Sequence, residues 1–276
     1  MTKILPIGSI ESYETPLEFK KAVKIGEMLG KGRRHFGTAA ASLTQLDDVK
    51  LKGQLPKGWK RTVMLVAQDG ELTTSNTIQY WLQTHDNTLL FDSIHIHGAG
   101  ETRVDQETGL VDNGDTDHVV LCGNHVLLVD SKAWKGGRRA TDAVYWLSAK
   151  GEVLRFGKSF AGGKVHMGSA IRLWGKYFKQ KMRQNIAVEG LISMTNRHAT
   201  VSDSPINSKM SNIVYYKQHW RLTTNKNLPA MLTAWYESIP EQERYIDPNI
   251  ALLIASQCCK PYRSEVKQIL QNLKIE

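Results

Sequence analysis

Residues 116–134 read TDHVVLCGNHVLLVDSKAW, and the reading of this stretch decides the fold. Two apolar runs, His118–Leu121 and Val126–Val129, flank Gly123-Asn124. Both turn residues tolerate the positive φ of a tight primed turn, so the stretch predicts a β-hairpin. With a two-residue turn Cys122 faces His125, and counting outward sets Asp117 opposite Asp130. Directly opposed residues have Cβ atoms roughly 4.5–5.5 Å apart. Two carboxylates at that separation repel each other among apolar strands, and a divalent cation between them relieves the repulsion. Lys132 follows Asp130 by two residues and shares its strand face. A lone D-x-K carries little, and an Asp at a strand mouth is commonly a turn residue. Here both runs are apolar on both faces, as in an internal strand. A charge inside such a strand is costly unless paired or metal-bound.

The chain of 276 residues suits one large domain or a core with extensions. Lys and Arg outnumber Asp and Glu by 36 to 27, which favours a polyanionic partner, nucleic acid before an anionic membrane surface. No 18-residue apolar run is present, so no transmembrane helix is expected. The opening MTKILPIGSIESYETP has Pro and Glu where a secretory leader would be apolar. Cys122, Cys258 and Cys259 form no disulfide framework and have no metal-ligand spacing, so a reducing cytoplasm is the expected setting.

Working outward from the hairpin, Thr15-Pro16 reads as a helix start, and the following periodic apolar residues reach Gly30. The basic, then small and polar stretch KGRRHFGTAAASLTQ reads as a connector rather than a phosphate-binding loop. A helix is expected over about 60–84, despite a Gly70 that costs about 1 kcal/mol there and so signals close packing. Leu89–His97 reads as a strand and 98–115 as a polar loop. Val144–Leu147 and Glu152–Phe156 read as an outer hairpin. Lys164–Asn185 reads as a second main helix with Arg172, Lys176, Lys179, Lys181 and Arg183, and no acid intervenes before Val188. Such a face suits a phosphate backbone. Ile186–Met194 and Asn212–Lys217 read as strands. Leu228–Ser238, Pro248–Cys259 and Arg263–Leu273 read as closing helices. The order helix, strand, strand, strand, helix, strand predicts an α/β fold with a mixed sheet and helices on its faces.

Other motifs fail. Gly157-Lys158-Ser159 lacks the earlier glycine of a P-loop, because position 152 is Glu. No Gly-x-Ser-x-Gly, paired CxxC or HExxH occurs. His95 and His97 share a strand face, for which solvation is the commoner explanation than metal. His118 beside Asp117 makes no dyad, because strand neighbours point to opposite faces.

The element order with Asp, then Asp-x-Lys, resembles the PD-(D/E)xK nuclease superfamily and its restriction-endonuclease-like αβββαβ core. The hairpin is more similar still to the nuclease-related domain, NERD. Its Gly-Glu on the first helix corresponds to Gly70-Glu71, its Asp-His-Val-Val strand to Asp117-His118-Val119-Val120, and its acid-x-Lys to Asp130-Ser131-Lys132. Asp130 stands where that domain more often has Glu. The resemblance covers about residues 60–220. It implies a nuclease-like core over 56–220; the flanks, which it leaves unexplained, read as a helical N-terminal extension over 1–55 and a helical C-terminal segment over 221–276 packed on the core. It implies Mg²⁺ or Mn²⁺ held by Asp117, Asp130, Glu71 and the Ser131 carbonyl, with Lys132 completing the catalytic set. Lys135, Arg138, Arg139 and the basic helix would hold flanking DNA, with Gln180 or Gln184 as an accessory residue. The expected activity is metal-dependent hydrolysis of DNA with little sequence preference. The competing readings are an RNA-directed nuclease and a non-catalytic nucleic-acid-binding or scaffold module. A membrane role is not expected, and oligomeric state, a homo-oligomer included, stays open.

Overall fold

A computed structural model describes residues 2–41, 61–96, 103–104, 111–112, 115–134, 144–147, 152–156, 158, 165, 167–183, 185–202, 214–216 and 220–258. The hairpin forms as the sequence dictates. Strand β5 is Asp115–Cys122 and strand β6 is His125–Lys132. Cys122 pairs with His125, and the ladder runs out to His118 opposite Val129. Gly123 takes φ +54° in the turn, and its N–H donates to the Tyr245 carbonyl at 2.8 Å. Val119–Leu121 and Val126–Val129 are at most 2 % exposed, so each side chain contributes about 1.5–3 kcal/mol.

Both strands lie inside a mixed sheet, seven strands wide among the described residues. Its remaining strands are β1 (His35–Gly37), β2 (Leu89–His95), β9 (Ala187–Met194), β11 (Val214–Tyr216) and β12 (Trp220–Thr224). The order is β1-β2-β5-β6-β9-β12-β11. β2, β5 and β6 are antiparallel neighbours, whereas β9 joins β6 in parallel. Two short pairings lie apart from it: β3 (Arg103–Val104) with β4 (Val111–Asp112), and β7 (Val144–Leu147) with both β8 (Val153–Arg155) and β10 (Thr200–Ser202). The outer hairpin at 144–156 therefore forms.

Helices cover both faces. Helix α1, Pro16–Gly30, starts at a capping box. Thr15 Oγ1 accepts from the Glu18 N–H at 3.2 Å, while Glu18 accepts from the Thr15 N–H at 3.1 Å. With α3 (Met167–Met182) and α5 (Pro248–Ala255) it packs on the layer of Phe91, Val119, Leu121, Val126, Leu128 and Ile192. Helix α2 (Arg61–Leu82) and α4 (Leu228–Ser238) cover the other face at Leu90, Val120, Leu127, Val129 and Leu191. The αβββαβ order α2-β2-β5-β6-α3-β9 is thus present.

Two sequence expectations need correction. The stretch beginning at Lys31 is no mere connector: His35–Gly37 adds a parallel edge strand to β2. Residues 98–115 are not wholly loop, since 103–104 pairs with 111–112 and β5 already begins at Asp115. The expected helix at 263–273 and the second histidine of the 95/97 pair lie outside the described residues. No described helix is long and apolar enough to cross a membrane.

Candidate active site

The end of β6 gathers the hairpin's charges. The paired ladder stops at His118–Val129, and Asp117 closes it with its side chain: Oδ2 accepts the Ser131 N–H at 2.6 Å. One residue on, Lys132 Nζ donates to Asp130 Oδ1 at 2.6 Å. Those two side chains are 31 % and 23 % exposed, which leaves the pair open to water on one side.

Helix α2 delivers Glu71 to the same strand end. The approach is close because residue 70 is glycine. A Cβ there would sit 2.9 Å from Thr195 Oγ1 and 3.1 Å from Ala133 Cβ. Glu71 is 5 % exposed, and its Oε2 has no hydrogen-bond partner. Burial, reinforced by Asp130 and Asp92, pushes its carboxyl up to about 8, against Lys132 and the Ala40 N–H. Burial likewise raises Asp117 well above the ordinary carboxylate range, with Glu71 and Asp130 adding to the effect. For Lys132, burial opposes the charge, but Asp130, Asp117 and Glu71 outweigh it and hold the ammonium above the usual lysine value. Glu71, Asp117 and Asp130 thus lie within electrostatic reach of a single cation, Lys132. If all three ionise, the balance is −3 + 1 = −2, and the site lacks positive charge.

An all-oxygen donor set with one orphaned buried carboxylate oxygen fits a hard divalent cation. Among the described residues, no three His, Cys, Asp or Glu side chains already stand together as a finished cage. That agrees with the two bonds above, which engage Asp130 with Lys132 and Asp117 with Ser131. Mg²⁺ needs no such cage: it keeps several waters and takes one or two carboxylates together with substrate oxygens.

A second polar layer was not legible as such. Asp92 on β2 is fully buried, and its carboxylate meets three partners. His35 Nε2 lies 2.8 Å from Oδ2, Ser75 Oγ donates to Oδ2 at 2.6 Å, and His118 Nδ1 lies 2.7 Å from Oδ1. Burial would raise this carboxyl, but the bonds to His118, His35 and Ser75 outweigh it and hold the pKa far below the ordinary range. His118, opposite Asp92 in the ladder, reaches Ser131 Oγ with Nε2 at 3.0 Å. The signal was available: Asp92 interrupts the apolar run LLFDSI, the pattern that singled out Asp130.

Of the residues expected to hold nucleic acid, Arg172, Lys176, Lys179 and Arg183 are exposed, the first three on α3. Lys181 stands 3.8 Å from Glu14, so this face does have one acidic neighbour. Gln180 is exposed near the end of the helix. Lys135, Arg138, Arg139 and Gln184 lie outside the described residues.

The family model of the nuclease-related domain, NERD, matches residues 68–195. That span begins just before Glu71 and includes Asp92, Asp117, His118, Asp130, Ser131 and Lys132. No curated protein and no solved structure matches the chain. Over residues 68–195 this chain is similar to the nuclease-related domain of the NERD family.

Proposed function

We propose that this protein is a divalent-metal-dependent deoxyribonuclease of the PD-(D/E)xK type with little sequence preference. One observation carries the reading. Glu71, Asp117 and Asp130 lie within electrostatic reach of one another and of Lys132, and one Glu71 oxygen is buried and unpartnered. Asp117, Asp130 and Glu71 would hold Mg²⁺ or Mn²⁺, with the Ser131 carbonyl as a further oxygen donor. Bound there, the ion would neutralise charge at the scissile phosphate and make a coordinated water more acidic.

The chain's own groups divide the remaining work. Lys132, held as a cation by its three acidic neighbours, suits donation to a phosphate oxygen or orientation of the attacking water. Asp130 fixes the lysine's head at 2.6 Å and keeps it on the sheet's polar end. Asp117, anchored by the Ser131 N–H, keeps its other oxygen for the ion or the water. The exposed cations of α3 and Lys135, Arg138 and Arg139 beyond β6 would bind phosphates along the backbone. Few features of the sequence suggest reading of base edges, so weak sequence preference is expected.

The test is cleavage of linear, circular, single-stranded and structured DNA, and of matched RNA strands, in Mg²⁺ or Mn²⁺. Metal-dependent cleavage by the wild type, lost in Asp130→Ala and Lys132→Ala with DNA binding largely retained, supports the reading. A wild type inert on every substrate would refute it. The tight Lys132–Asp130 pair favours one other reading, a metal-free nucleic-acid-binding scaffold. That reading predicts DNA binding indifferent to both substitutions and to EDTA.

A further inference from the structure

We infer that Asp92 and His118 are positioning residues that lock Ser131, and with it the two carriers of the acidic cluster, in register. This inference rests on the nuclease reading of that cluster and deepens it. Asp92 sits at the junction of four elements. It meets His35 from β1, Ser75 from α2 and His118 from β5, and through His118 it reaches Ser131 on β6. Ser75 lies one helical turn beyond Glu71, so its 2.6 Å bond to Asp92 pins the helix that delivers Glu71. The other branch pins the strand. Ser131 separates Asp130 from Lys132, and its own N–H is the donor that holds Asp117. One buried carboxylate therefore fixes Glu71 from one side and Asp117, Asp130 and Lys132 from the other.

Hydrogen-bond bookkeeping sets the tautomer. An ionised carboxylate only accepts, so the proton faces Asp92 on His118 Nδ1. With that proton on Nδ1, the second ring nitrogen, Nε2, is the one that faces the Ser131 hydroxyl at 3.0 Å. Carboxylate, imidazole and hydroxyl in this sequence also build nucleophilic triads. Positioning is the better assignment here, since Ser131 is flanked by two members of the acidic cluster and its N–H already holds a third. Groups that orient the residues around a metal typically change metal affinity or activity by 10–100-fold when removed.

The experiment compares the full chain as wild type, Ser131→Ala, Ser131→Thr, Asp92→Asn and His118→Gln. Three readouts apply: Mn²⁺ affinity by water-proton relaxation, kcat and KM on duplex DNA, and the ¹⁵N spectrum of the histidine side chains. Ser131→Ala leaves Asp92–His118 untouched and guards against a variant that fails to fold. The expected result is a 10–100-fold loss in Mn²⁺ affinity or kcat for Ser131→Ala and Asp92→Asn. KM stays within about twofold, Ser131→Thr recovers most of the loss, and a buried ring is protonated at Nδ1. Ser131→Ala that binds Mn²⁺ and turns over like the wild type would overturn the inference. So would a bare Nδ1 on His118, or covalent labelling of Ser131 by an organophosphonate. A wild type that binds Mn²⁺ but cleaves nothing sinks the nuclease reading alone, because the Mn²⁺ affinities still test the positioning. A wild type that binds no Mn²⁺ overturns both.

Discussion

Replacing Glu71 with glutamine keeps the side chain's shape and removes its charge. In the folded protein the carboxyl is pushed up to about 8 from an ordinary 4.5. An acid whose pKa rises on folding binds its proton more tightly in the native state. The unfolded chain then releases protons that the native state keeps, and stability falls as pH rises between the two values. The penalty is absent below pH 4.5 and fully present above about pH 8. At about 1.4 kcal/mol per pH unit, the gap of 8 − 4.5 = 3.5 gives an upper bound of roughly 5 kcal/mol. Asp117 competes for the same neighbourhood, so the measured difference falls below that bound. Urea unfolding in EDTA at pH 5, 7 and 9 reads it. Glu71→Gln should match the wild type near pH 5 and exceed it increasingly towards pH 9. Adding Mn²⁺ at pH 8 should stabilise the wild type more than the variant. A stability difference that does not change with pH, or a variant weaker than the wild type at pH 9, would refute the account of the buried carboxylate.

Asp130→Ala and Lys132→Ala should each lower cleavage by at least about 10²-fold, the scale of losing one preorganised charge stabiliser, while filter-binding affinity for DNA changes little. Gly123→Ala should destabilise the chain by about 2–4 kcal/mol in urea unfolding, since φ +54° disfavours a side chain and the new Cβ collides with the Glu243 carbonyl oxygen. Gly70→Ala should destabilise by about 1 kcal/mol, because crowding against Ala133 and Thr195 outweighs the helix-propensity gain of similar size. Reversing Arg172, Lys176 and Lys179 to Glu should weaken DNA binding and flatten its salt dependence by about 0.9 in log–log slope for each phosphate that is no longer neutralised, with kcat unchanged.

How much of this was legible in the sequence depends on whether local rules or tertiary packing decide each piece. The hairpin could be read because turn chemistry and apolar runs fix its register without outside help, and the structure pairs Cys122 with His125 accordingly. The Thr15 cap and the tight passage at Gly70 could be read for the same reason. Glu71 could not be read that way: as a residue on a helix it looks like a surface acid, and only the resemblance singled it out. His35–Gly37 is equally opaque, because three residues after a basic stretch carry no period. Its pairing comes from the β2 edge beside it. Trp220–Thr224 is hidden as well, since WRLTT has only two apolar residues, and its place beside β9 is a tertiary fact. Asp92 differs from these, for a charge inside an apolar strand must find partners, and it finds three.

The most direct test is the anomalous signal of Mn²⁺ in crystals of the wild type soaked near pH 8. The account predicts a peak within about 2.0–2.6 Å of carboxylate oxygens of Asp117 and Asp130, with Glu71 directly or through a water in the same shell. No peak at that strand end while the crystal otherwise takes up Mn²⁺, with Lys132 still closed on Asp130, would contradict it.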